Sequence, residues 1–563
     1  MLFFAISFSI VLLILLAIFS PILNAKSLLF PFAIHPFDIV KVYPETWKKL
    51  KIIYFITSFL SFFILFNKFF NILSSLFPDI KTHKNQKNTY KADELSLLIG
   101  LSNNLPVHIS EKGLFQNILI TGTIGTGKTS SAMYPFTEQL INYKAFSPSE
   151  KLAMLILDVK GNYFNQVVEY SSKAGRLKDL ISIDLSGKFK YNPLDKPNLT
   201  PIVLANRLKT ILTLFSPNNS ESYWLDKVEQ ILAESIKFCR LYNNGYVSFS
   251  EIHKLIMFPE YYSEKLAITK KLFLEKKYSD QEVYNLLTCI DFFEKEFFSL
   301  DQRTISILKS EISRITNIFV SDYTVSKTFC PKKEDIIFHG FEDILKNGKI
   351  VVLNMNIAEY KNLSKIIAAY LKLDFQTEVM SALGKNSKIR KSAFISDEYH
   401  EYVTATDADF FAQCREAKCI NIVATQSYSS IKNTLKDDSA TKVILQNLIN
   451  KIWFRTDDIF TIEETQKQIG KEEKEKISTT ISENAKETKF NLFTNTLVSK
   501  ESNLSESYNK YTQNDYIYDT NYFSQTLETF KSLCFISDGQ KILKPTHLQM
   551  IPYYQKNLYY RKD

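Results

Sequence analysis

Paired cysteines are missing from this chain. Its six cysteines, Cys239, Cys289, Cys330, Cys414, Cys419 and Cys534, form no CxxC pair and no regular framework. That excludes a disulfide scaffold, argues against a structural zinc site and points to reduced, cytosolic thiols. No repeat with a period of about 20–50 residues is present, which excludes a solenoid. The second histidine of an HExxH motif is missing too: His400-Glu401 is followed by Thr404 where a zinc helix needs its second ligand. His400 therefore reads as a partly exposed polar residue. Charge of one sign is not dominant. The net charge is +9 with 23% charged residues, a mildly basic balance that permits a nucleic-acid or membrane-surface partner and demonstrates neither. Glycine is scarce, with 14 in 563 residues, so any glycine-rich loop stands out.

What is present begins with two apolar runs. From Leu2 to Ala25 no residue is charged, and LFFAISFSIVLLILLAIF has the length of a bilayer span, about 20 residues. It lacks the basic n-region and small-residue cleavage site of a signal peptide. A second run from Ile52 passes Lys68, which would snorkel to the interface, and resumes as FFNILSSLF. We read residues 1–25 and 52–77 as transmembrane helices and 26–51 as a short periplasmic segment. Lysines on both sides leave the orientation open on charge alone. The polar stretch 78–95 reads as a tether within a linker segment, 78–113, that leads into the cytoplasmic part.

From about residue 114 short apolar runs alternate with helical periodicity. LFQNILIT, KLAMLILD, GKIVVLNM, KSAFISD and INIVAT read as buried strands, most followed by helix-like stretches. This is the pattern of an α/β fold with a mostly parallel sheet. Residues 201–340 contain few strands; YWLDKVEQILAESIKF places Trp224, Val228, Ile231, Leu232 and Ile236 on one helical face. The expected organisation is an α/β domain in two parts, 114–200 and 341–550, split by an all-helical insertion at 201–340 and followed by a tail at 551–563. The charged, Ser/Thr-rich tract 471–489 reads as an exposed loop or hairpin.

GTIGTGKT, residues 122–129, fits GxxxxGK[ST] between an apolar strand and a helix-like SSAMYPFTEQLI. Gly122, Gly125 and Gly127 let the backbone N–H groups of Thr123, Ile124, Thr126, Lys128, Thr129 and Ser130 turn around phosphates at a helix N-terminus. Lys128 would reach the β- and γ-phosphates of ATP, and Thr129 would hold Mg²⁺. The metal also needs a carboxylate at the end of a neighbouring strand. LAMLILDVKG ends on Asp158 and KSAFISDE on Asp397. Asp158 is closer in sequence, but Asp397 has Glu398 beside it as the water-activating group, and we choose Asp397. Asp158 and Lys160 read as a second pair at the site's edge. Gln426, at the end of INIVAT, reads as a γ-phosphate sensor. Arg415, ahead of that strand, reads as a finger into a neighbouring subunit, with Arg455 as the alternative.

The order and spacing of GTIGTGKT, LDVKGN (157–162), YNPLD (191–195), the Trp-led helix, SDEYHEY, REAKCINIVATQSYSSI, FRTDD and IGKEEKEKIS behind two apolar runs resemble the type IV secretion coupling proteins. These are TraG/TraD-type conjugative ATPases within the wider FtsK/HerA group. The resemblance implies a RecA-like P-loop NTPase and a homohexamer in the bacterial inner membrane. It implies a motor that passes relaxase-linked single-stranded DNA, or protein, to type IV secretion channel proteins. It assigns the trans-acting finger to Arg415, the sensor to Gln426, and a cargo-facing cap to the helical insertion. The long acidic tail of some relatives is not matched. Two other readings stay open: a receptor for effector proteins with little DNA pumping, and an FtsK/HerA-like double-stranded DNA translocase.

Overall fold

The computed structural model describes residues 95–555 apart from 159, 187, 216–221, 276–277, 385–388 and 492–495, together with Glu45 and Lys49. Both expected transmembrane segments lie outside the described residues, and among the described residues no helix is long and apolar enough to cross a membrane. The chain divides into two units, Met1–Asp93 and Glu94–Asp563, and the second is built on one large sheet.

In chain order its strands are β1 (Ser96–Ser102), β2 (Leu105–Ser110), β3 (Ile118–Thr121), β4 (Ala153–Leu157), β5 (Leu180–Ile183), β6 (Ile350–Leu353), β7 (Ser392–Ser396), β8 (Cys419–Thr425) and β9 (Asn450–Trp453). Then come β10 (Lys471–Asn491), β11 (Thr496–Tyr516), β12 (Lys531–Phe535) and β13 (Thr546–Gln549). Eleven of them form one sheet in the order β2-β1-β13-β12-β9-β3-β8-β7-β4-β6-β5. From β9 to β5 every neighbouring pair is parallel. Strands β12, β13, β1 and β2 extend it antiparallel. The sheet is thus mostly parallel, as the strand–helix alternation requires.

The five strands read from the sequence are all in the parallel part, because continuous apolar runs are what a sheet covered on both faces selects. Side chains alternate between two cores. Leu119, Leu155, Val351, Phe394 and Val423 face one, with the helical segment. Ile118, Ile120, Met154, Ile156, Ile395 and Ile422 face the other, with Phe136, Leu140 and Val167. The first half of LFQNILIT departs from expectation. Ser110 caps a short helix Glu111–Leu114 by accepting from Gly113 N, and the strand starts only after Asn117 at φ 61°. Strands β1 and β2 occupy the stretch read as linker.

Seven helices run from Pro201–Phe215 to Tyr323–Phe329 with no strand among the described residues between them. Ser248, Asp301 and Asp322 cap three of them, and Ser279 with Glu282 forms a capping box on a fourth. Val228, Ile231, Leu232 and Ile236 are buried and Trp224 packs half-buried beside them, the face expected from the periodicity. The tract at 471 is a long hairpin, β10 and β11 pairing antiparallel with each other in a sheet of their own.

Candidate functional site

The carboxyl ends of β3, β8, β7 and β4 lie side by side, and the loops that leave them supply the sequence-identified residues. Ligands in open parallel sheets bind at this edge. The loop after β3 is held open by its glycines: Gly125 and Gly127 have φ of 79° and 97°, and a Cβ on Gly122 would come within 2.6 Å of Phe454 Cβ. Thr123 N donates to Arg455 O at 2.9 Å, and the Thr126 hydroxyl donates to Thr123 O at 2.9 Å. Ile124 at the tip is 79% exposed. Lys128 is buried and its ammonium donates to the carbonyls of Gly122 and Thr123. Burial lowers its pKa, with Glu398 and Asp397 opposing that shift. The Ser130 hydroxyl turns back to Gly127 O.

Residues 268 positions apart meet here: the Thr129 hydroxyl donates to Asp397 Oδ2 at 2.9 Å. Asp397 is 1% exposed. Burial first, and the neighbouring Glu398 charge second, push its carboxyl up to about 6. Glu398 follows in the left-handed region, φ 48° and ψ 47°, a conformation a glutamate holds only when its surroundings impose it. Those surroundings are visible. Tyr402 Oη donates to Asp397 O at 2.8 Å, while Tyr399 Oη donates to the fully buried Asp407. Asp407 also accepts from Lys372 Nζ at 2.6 Å.

Glu398 has two unlike oxygens. Oε1 accepts from Lys160 Nζ at 2.9 Å and from Gln426 Nε2 at 3.4 Å. Oε2 is buried and has no hydrogen-bond partner among the described residues. Burial would raise this carboxyl, but the Lys160 hydrogen bond and charge outweigh it, aided by His400 and Lys128, and hold it below the usual glutamate value. The two adjacent carboxylates are thus pushed in opposite directions. Asp158 shapes the turn that delivers Lys160, accepting from Lys160 N at 3.0 Å and from Tyr163 N at 3.1 Å. Sequence reasoning left that pair without a role. Its signal is a fold-level one, the pairing of β4 with β7 that sets Leu157 beside Ser396.

Arg415 is not gathered into this site. It is exposed in the turn before β8, at the end of that strand opposite Gln426. Arg455 is half-buried and contributes only its carbonyl to the loop. His400 Nδ1 lies 3.2 Å from the Thr425 hydroxyl, and burial lowers its pKa. No cluster of three metal-ligating side chains exists among the described residues. The segment from residue 551, read as a tail, begins inside the fold, with Ile551 buried and Tyr553 N donating to Ser130 O at 2.9 Å.

Comparison with known proteins agrees with this fold. Residues 392–517, from β7 through the hairpin, match the family model described as the TraM recognition site of TraD and TraG. Over that stretch the chain resembles TraD and TraG. No curated protein sequence matches it. The bacterial conjugative coupling protein TrwBdeltaN70, in its unbound monoclinic form, superimposes with a TM-score of 0.53 at 12% identity, over 82% of this chain and 89% of that one. TrwB in complex with the GTP analogue GDPNP gives 0.53 at 11%, over 84% and 92%. TrwB in complex with ADP and Mg²⁺ gives 0.53 at 11%, over 83% and 92%. At these identities the likeness is one of fold.

Proposed function

We propose that this chain is the membrane-anchored ATPase of a type IV secretion system, a coupling protein that recruits relaxase-linked single-stranded DNA or protein and drives it toward the channel. The observation that carries the reading is the 2.9 Å hydrogen bond from Thr129 to Asp397. It sets a hydroxyl and a carboxylate together beside a phosphate loop, the donor pair Mg²⁺ takes in such sites. Glu398 Oε2, which has no hydrogen bond among the described residues and lies 3.7 Å from His400 Nδ1, fits the same reading as the acceptor for a water proton. When bound, Mg-ATP supplies the phosphoanhydride to be cleaved and the divalent charge that spreads over its oxygens. The loop N–H groups and Lys128 bind the phosphates. Thr129 and Asp397 would hold the ion. Glu398 positions the water and takes its proton through Oε2, while Lys160 and Gln426 fix Oε1. Arg415 would act on the site of a neighbouring copy in a homohexameric ring.

TrwB structures with ADP and Mg²⁺ support the choice of nucleotide and metal, and the match to the TraM recognition model supports a relaxosome partner for residues 392–517. The apolar runs at 1–25 and 52–77 support inner-membrane anchoring. ATP hydrolysis by the full-length protein, with and without single-stranded DNA and over a salt series, tests the reading. Stimulation that falls as salt rises is expected of a DNA motor. Hydrolysis indifferent to DNA would leave the effector-receptor reading in its place.

A further inference from the structure

The nucleotide reading leaves one end of the ligand without a place. The metal-binding and catalytic carboxylates follow β7, on one side of β3 across β8, while β9, β12 and β13 lie on the other side. A triphosphate whose γ end faces Glu398 must send its nucleoside away from β7, toward the β12–β13 edge. Aromatic side chains from two sequence-distant turns stand there. Phe530 N donates to Thr126 O at 3.1 Å, Met550 N donates to Phe530 O at 2.7 Å, and Tyr553 N donates to Ser130 O at 2.9 Å. Both turns are therefore bonded to the loop itself. The Phe530 ring lies so close over Gly127 that a Cβ there would be 2.5 Å from its Cδ1. Phe530 also holds φ at 62°, a left-handed conformation rare and strained for a bulky residue, and such strain gathers at ligand sites. Tyr554 is 57% exposed, with its ring 6.5 Å from that of Phe530 at an interplanar angle of 75°. Tyr553 stands behind it, edge-on to both Tyr554 and Tyr134.

We infer that Phe530 and Tyr554 form the platform for the base of the bound nucleoside triphosphate, Phe530 as the fixed wall and Tyr554 as the adjustable ring; the inference rests on the phosphate-loop reading above. Every base has a π face to stack on such rings, and the gain from one stacked base corresponds to roughly tenfold or more in affinity. The test is calorimetric titration of the full-length protein, with Mg²⁺ present, by ATP and by inorganic tripolyphosphate, which has the phosphates without the base. Wild type should bind ATP at least about tenfold more tightly than tripolyphosphate. Tyr554→Ala should remove most of that difference through the ATP arm alone, Tyr554→Trp should keep it, and Phe530→Leu, which preserves the packing on Gly127, should reduce it. ATP affinity unchanged in Tyr554→Ala overturns the inference. So does an equal loss of ATP and tripolyphosphate, which would make the segment a prop for the loop. Wild type that binds neither compound brings down the phosphate-loop reading itself, and this one with it.

Discussion

Glu398 shows how single side chains are given direction. Its Oε1 is held by Lys160 and Gln426 while Oε2 stays without a hydrogen bond, so the carboxylate is oriented before any water arrives. Glu398→Gln should keep nucleotide binding and lose turnover by about a hundredfold or more, the usual scale for a general base. Lys160→Met should leave ATP affinity near wild type and lower kcat by about tenfold to a hundredfold, because the carboxylate loses its register. Steady-state hydrolysis with a separate binding titration separates the two, and a Lys160→Met enzyme with wild-type kcat would remove Lys160 from the machinery. Lys451 makes a different prediction, about stability. It is buried on β9, donating to Leu445 O at 3.0 Å and Leu448 O at 2.9 Å, and burial lowers its pKa to about 8. Unfolded chain therefore binds the proton more strongly than folded chain between that value and the ordinary lysine value. Stability must rise with pH across this window, by about 3 kcal/mol from this group. Denaturant unfolding at pH 8, 9 and 10 should show that slope in wild type and lose it in Lys451→Met.

Among the elements, the helix Ile357–Ser381, kinked at Lys361, joins two parts of the fold. Its Lys372 meets Asp407 below the loop that carries Glu398, both side chains fully buried. Two residues on, and so on another face of the helix, Asp374 pairs with Lys196 at 2.7 Å and Arg207 at 3.1 Å, the latter on the first helix of the helical segment. The helix thus ties the loop that carries Glu398 to that segment through ions that water cannot screen. Removing one partner of such a pair strands the other charge, at about 3–5 kcal/mol. Lys372→Met should lower stability by that amount in a chemical denaturation curve, and the double change Lys372→Met with Asp407→Asn should recover part of it. If the double variant is no more stable than the single, Asp407 is held by its neutral donors and not by the lysine. The hairpin β10–β11 is the opposite case. Its strands pair only with each other, and Ile477, Ile481 and Tyr508, which the strand register puts on one face, are exposed.

For the whole molecule, the placement of Arg415 is the decisive fact. It precedes β8 and Gln426 follows it, so about 20 Å of strand separates them at the ordinary rise per residue. Arg415 therefore serves only a neighbouring copy if it serves a nucleotide site at all. Arg415→Ala and Lys128→Ala subunits, each inactive alone, should recover part of the ATP hydrolysis when mixed; no recovery at any ratio counts against a finger acting across an interface. Strand reading worked for β3, β4, β6, β7 and β8 because each is an unbroken apolar run. It missed β5, a four-residue edge strand buried on alternate residues only, β9, where Asn450 and Lys451 are buried polar residues inside NKIW, and β12, β13, β1 and β2, whose antiparallel positions leave a mixed pattern. The sequence by itself determined the glycine-rich turn at 122–129, the acidic doublet and the helical segment. Each is a local matter of spacing, glycine freedom and periodicity, complete within a few turns of chain. Only the tertiary structure decided that Asp397 faces Thr129 and that Lys160 holds Glu398. It also decided that the segment around Tyr553 lies against the loop. The physical reason is that parallel strands are joined by long crossovers, so neighbours at the sheet's carboxyl edge come from positions hundreds of residues apart, and no local pattern records which strands will lie side by side.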